Sequence, residues 1–175
     1  MPSETDLKAE MERVAVELLE GRGAHADPLA SIEDLAVEQA SRKPGGFEHS
    51  IFEIVAHLNY WMAYDLKRIR GARDPYPAHA AESWPSAGPI GEVRWEGEVR
   101  RFRELLGEFR AACRSDSEGW VSEAPATHES HQRNASTVGA LIFQAIAHNS
   151  YHLGQIVDLR RSLGRWPPSK GGDTW

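Results

Sequence analysis

The chain has 175 residues, a length that suits one domain whose core needs no disulfide staples. Apolar residues are 41% of the chain, charged residues 26% and the net charge is −6, a globular balance that argues against a general binder of nucleic acid or anionic membranes. The single cysteine, Cys113, excludes an internal disulfide framework and any cysteine-rich metal site.

No run of about 18 apolar residues marks a membrane span. The acidic start, Met1 to Asp6, has no basic region ahead of an apolar run and reads as no signal peptide, so the expected location is cytoplasmic.

In chain order, the first predicted helix covers about Asp6 to Glu20, with Leu7, Met11, Val14 and Leu18 as its apolar stripe, and Gly21 and Gly23 ending it. Asp27-Pro28 opens a short helix with Leu29, Ile32 and Leu35 on one side, closed by Pro44-Gly45-Gly46. Ser50-Ile51-Phe52-Glu53 is a capping box that starts the second long helix, which Gly71 ends. Residues 72–89 carry four prolines and read as a loop. Extended at about 3.3 Å per residue, this loop reaches nearly 60 Å, enough to cross the whole molecule. It is expected to act as a crossover that lets the second and third helices run parallel.

The third long helix is expected over about Ile90 to Arg114, with Trp95, Val99, Phe102, Leu106, Phe109 and Cys113 facing the core. A polar loop follows over about 115–135. The fourth helix runs from about Ser136 or Thr137 to Leu163, stopped by Gly164 and the following Pro167-Pro168. No strand-period segment of any length appears. The expected fold is all-α, a four-helix bundle with one long crossover, as a single domain over residues 1–175.

Eight histidines are present, and three of them fall inside helices. At about 100° per residue, Val138, Leu141, Ala145, His148, His152, Ile156, Leu159 and Leu163 share an arc of roughly 80°. His148 and His152 are thus one turn apart in the middle of a core-facing stripe, where both imidazoles can reach one ion. The plain alternative is two core histidines, each satisfied by a hydrogen bond, and unpaired they would cost about 1–3 kcal/mol each. His57, two turns into the second helix beside Ile54 and Trp61, could face that pair across a bundle. Three histidines with open positions suit a catalytic metal site rather than a closed structural one. The segment His148-Asn149-Ser150-Tyr151-His152 has Asn where a zincin carries its Glu base, so zincin-type peptide hydrolysis is not expected.

The segment from Ser50 through His57 to Trp61 resembles the first histidine motif of the DinB/YfiT-like superfamily, and His148 through Ile156 resembles its second. The likeness extends over Leu29 to Gly46, Trp84-Pro85 and Leu163 to Pro168. It implies a four-helix bundle with a crossover, often a homodimer, with a divalent metal held by His57, His148 and His152. Imidazole accepts Zn, Ni, Mn and Fe, so the motif leaves the metal open. The characterised members it resembles include S-transferases and an isomerase that use low-molecular-weight thiols, while others are described only as metal-dependent hydrolases or damage-induced proteins. Fold and metal site are shared across these functions.

The resemblance thus implies a metal-dependent enzyme acting on a small-molecule substrate, with a low-molecular-weight thiol as cosubstrate. A metal-dependent small-molecule hydrolase and a non-catalytic metal- or ligand-binding stress protein are the alternatives. Among the other histidines, His49 is expected on the surface. His25, His79, His128 and His131 lie in loops, with His128 or His131 a candidate for substrate contact or proton transfer. Gln155, one turn past His152, either reaches a metal-bound water or lies at the bundle edge. Tyr151, Asn149 and Asp158 are expected in packing or surface roles, and Cys113 as a core filler.

Overall fold

A computed structural model describes residues 4–23, 25–86, 88–114, 117–124 and 137–170. The chain is all-α, with no strand among the described residues beyond one isolated bridge between Glu123 and Thr137. In order, the helices are α1 (Glu4–Leu19), α2 (Ala30–Glu33), α3 (Val37–Ala40), α4 (Ile51–Ile69), α5 (Glu92–Cys113), α6 (Ser117–Val121) and α7 (Val138–Ser162), with a 3₁₀ turn at Ala80–Ser83. Helix α4 packs on α5 and α7, and α1 packs on the same two. No described helix is long and apolar enough to cross a membrane.

The capping box forms as the residues dictate. Ser50 Oγ accepts from the Glu53 amide at 3.2 Å, and Glu53 Oε2 accepts from the Ser50 amide at 2.7 Å. Thr137 caps α7 by a single bond, its Oγ1 accepting from the Ala140 amide at 3.3 Å. At the far end of α7, Gly164 takes a φ of 65°, and the Arg165 and Gly164 amides donate to the Arg160 and Arg161 carbonyls. That left-handed residue closes the helix with two orphan carbonyls satisfied.

Contacts along α4 and α5 pair Phe52 with Trp95, ring centroids 6.4 Å apart, then Asn59 Nδ2 with the Glu98 carbonyl at 2.9 Å. Further along, Arg70 meets Glu108 at 2.6 Å.

Three expectations need correction. The loop over 115–135 contains α6, a helix too short to show a period in sequence. It is anchored by Trp120, whose Nε1 donates to the Cys113 carbonyl at 2.8 Å. A Cβ on Gly139 would come within 2.7 Å of the Trp120 ring, so the indole lies on α7 where that side chain is missing. The loop over 72–89 contains the 3₁₀ turn.

Helix α1, finally, buries Ala15, Val16 and Leu19 rather than the expected stripe, leaving Leu7 and Met11 exposed. Leu18 and Leu19 give this helix two adjoining apolar sides, and periodicity alone does not choose between them.

Candidate metal centre

His57 and His152 are each 6% exposed, and His148 is half-buried. One ring nitrogen from each falls within 4.8 Å of the others, drawing α4 and α7 together at one point. The His148 and His152 Nε2 atoms are 3.1 Å apart. Ring centroids lie 4.6 to 5.2 Å apart, with each pair close to edge-on.

The outward nitrogens of His57 and His152 are fixed by partners. His57 Nδ1 lies 3.3 Å from the Ser83 carbonyl and 3.1 Å from Ser83 Oγ. Ser83 Oγ spends its own proton on the Ala80 carbonyl at 2.6 Å, so it accepts here. His57 Nδ1 therefore carries the hydrogen, and its Nε2 keeps a lone pair. His152 Nδ1 donates likewise to Gln155 Oε1 at 2.7 Å, while Gln155 Nε2 donates to the Tyr151 hydroxyl. Such outer partners set the tautomer and orientation of a metal-binding imidazole. Gln155 thus orients a ring rather than reaching for a water.

Gln155→Leu is expected to weaken divalent-metal affinity by about 10–100-fold without unfolding the chain. Competition against a chromogenic chelator measures this, and unchanged affinity would deny Gln155 the role.

The Trp84 indole stacks on His57 at 4.0 Å and 12°, and on His49 at 3.6 Å and 11°. His49 is therefore half-buried near the site, not a surface residue. Its helical-wheel direction missed this because the ring that covers it arrives from the 72–89 loop. His25, expected to be solvated, bridges through Nε2 to Ser150 Oγ at 2.6 Å. Asn149 is buried with its amide toward Met62 Sδ, Tyr151 is exposed, and Asp158 pairs with Arg161 at the surface. His128 and His131 lie outside the described residues. Ser83 was not foreseen, since nothing local marks a serine as an imidazole's partner.

Burial, then the neighbouring His152 and His148, pushes His57 down to about 4, and burial and then His152 push His148 to about 4. Burial also lowers His152. Three neutral imidazoles are the protonation state that ligation needs, so the donor set fits a borderline divalent ion with open positions.

A pH dependence of stability follows for the metal-free protein. Unfolded, His57 and His148 return to about 6.5, so below that pH the unfolded chain takes up protons the folded chain refuses. This contribution is complete above pH 6.5 and falls away between 6.5 and about 4. Denaturant midpoints measured between those limits are expected to fall with pH. A flat profile would contradict the buried neutral triad.

The sequence profile of the DinB superfamily matches residues 22–156, a span that contains all three histidines. The chain belongs to the DinB superfamily. No curated protein matches it.

Proposed function

We propose that His57, His148 and His152 hold one divalent cation and that the chain is a metal-dependent enzyme using a low-molecular-weight thiol, as an S-transferase or a thiol-dependent isomerase of a small molecule. The observation that carries this reading is the convergence of three neutral imidazoles, two with their tautomers fixed by Ser83 and Gln155. A bound ion would supply a Lewis acid that lowers the pKa of a thiol or water at its open positions.

The choice of a thiol over water follows the resemblance to thiol-using members of the superfamily, and the chain's own residues are compatible with it. Cys113 is fully buried, and burial pushes its thiol up to about 12, so it offers no thiolate, and any sulfur nucleophile would come with a cosubstrate. Asn149 occupies the zincin base position with its amide turned to Met62, which disfavours hydrolysis of the zincin kind. Trp84, stacked on His57, shields that ring from water.

The same reading takes residues 1–175 as one four-helix-bundle domain with a crossover, working as a homodimer. The α4–α5 contacts ascend together from Phe52–Trp95 through Asn59–Glu98 to Arg70–Glu108, which supports parallel helices joined by the crossover.

The test loads metal-free protein with Zn, Ni, Mn or Fe and screens thiols against electrophiles. Turnover is expected only with both metal and thiol, and not in His57→Ala. Turnover without thiol would make the chain a hydrolase instead. Absence of turnover in both thiol and hydrolysis panels would leave a non-catalytic binder.

A further inference from the structure

A second cavity, of about 350 Å³, lies along α7 with His25 and Ser150 in its wall. Ser150 stands between His148 and His152 in sequence, but two residues turn a helix through about 200°, so it faces away from the triad. Leu153 and Val157 give the cavity apolar sides. Gly154, one turn beyond Ser150, leaves the space above it open, and a Cβ there would meet nothing within 4 Å.

His25 Nε2 lies 2.6 Å from Ser150 Oγ, and His25 Nδ1 lies 2.9 Å from the Ala26 carbonyl oxygen. A carbonyl only accepts, so Nδ1 carries a hydrogen. In the neutral ring Nε2 then holds a lone pair, and the Ser150 hydroxyl donates to it. Ser150 Oγ also lies 2.8 Å from the Ile146 carbonyl, one turn back. In the cationic ring Nε2 donates to Oγ instead, and the hydroxyl turns its hydrogen to Ile146. The imidazole is therefore held in one place both before and after it gains a proton. A hydroxyl, a base and an acceptor that orients the base make up the array used in covalent acyl transfer. A plain tether between the segment at His25 and α7 would use the same bonds, but it would not need half-buried groups beside an open cavity.

We propose that Ser150 is a nucleophile with His25 as its general base, and that this cavity takes a small activated acyl ester without any metal at the triad. Oγ attacks the acyl carbon while its proton passes to His25 Nε2. The Oγ–C bond forms, the bond to the leaving oxygen breaks, and the leaving group departs as an anion. His25 then releases the proton to solvent. Ser150 lies inside α7, where neighbouring amides are committed to the helix and do not cradle an oxyanion. The donor must therefore carry a good leaving group, and the acyl-serine, whose alkoxide leaves poorly, accumulates.

The test uses the full chain kept metal-free with a chelator, and p-nitrophenyl acetate as the probe. Stopped-flow absorbance is expected to show a burst of about one nitrophenolate per chain. Peptide mass spectrometry is expected to place an acetyl group on Ser150. His25→Ala should slow the burst at least about a hundredfold, the low end of what a positioned base supplies. Ser150→Ala should abolish it. Gly154→Leu should slow it with both reacting groups intact, because a helical side chain covers the turn before its own Cα. Absence of acetyl from Ser150 in wild type would overturn the proposal without need of any variant. An equal burst in Ser150→Ala, or an unchanged rate in His25→Ala, would overturn it too. A burst that needs added zinc would belong to the triad and would also contradict it.

Discussion

His148→Ala is expected to abolish binding of a divalent cation while leaving the metal-free fold in place. Two of the three donors come from one turn of α7, their Nε2 atoms 3.1 Å apart, and the third comes from α4. Removing one imidazole leaves two donors on different helices and a gap between them. Loss of a mere orienting partner costs about 10–100-fold in affinity, so loss of a donor should cost more than about a hundredfold.

The folded scaffold does not need that ring. His148 is half-buried at a cavity wall, so its truncation opens space already continuous with the cavity. An ion held at 100 times its dissociation constant stabilises wild type by about 2.7 kcal/mol. Thermal unfolding with and without metal should show that increment in wild type and none in His148→Ala. An equal increment in both would remove His148 from the site.

Arg160→Ala is expected to destabilise the fold by about 2–4 kcal/mol, through the loss of a fully buried side chain and of the hydrogen bonds it donates. Arg160 is 1% exposed near the end of α7. Its Nη1 donates to Asp34 Oδ1 at 2.7 Å and to the Ser31 carbonyl at 3.0 Å, and its Nε donates to the Arg165 carbonyl at 2.9 Å. Asp34 Oδ2 in turn accepts from the Ser169 amide at 2.7 Å. One side chain thus ties α2, the end of α7 and the closing segment together. Alanine would leave a cavity, a carboxylate held by the Ser169 amide alone, and two carbonyls short of a donor.

Burial works to raise the Asp34 carboxyl, but the Arg160 and Ser169 hydrogen bonds outweigh it and hold it below the usual carboxylate value of 3.8. The contribution of that carboxyl is therefore full above about pH 4 and lost only in stronger acid, below the window in which the histidines titrate. Denaturant unfolding at neutral pH measures the substitution. A loss under about 1 kcal/mol would show that the clamp adds little.

These two residues mark how far the sequence could be read. His148 and His152 were legible because a helix places residues one turn apart on one face, and the rest of that face was apolar. His57 was legible because the capping box fixes where α4 begins and so where its core side lies. Arg160 was not, because its partner Asp34 is 126 positions away and no local pattern tells a buried arginine from a surface one. Helix α7 also buries Ile142, Ile146, Asn149 and Leu153 beyond the predicted arc, since it packs against α1, α2, α4, α5 and α6 together.

The surroundings of the triad came from the same blind spot. Ser83 and Trp84 sit in a proline-rich stretch with no periodicity, and only the 3₁₀ turn brings them onto His57.

The central claim is that three neutral imidazoles form one cation site. Titration of untagged, metal-free protein with zinc at neutral pH, followed by calorimetry and by metal analysis after gel filtration, tests it most directly. One ion retained per chain is predicted, with none retained by a His57→Ala, His148→Ala, His152→Ala triple variant. No retained metal in wild type with any of Zn, Ni, Mn or Fe would contradict the account, and so would equal retention by the triple variant.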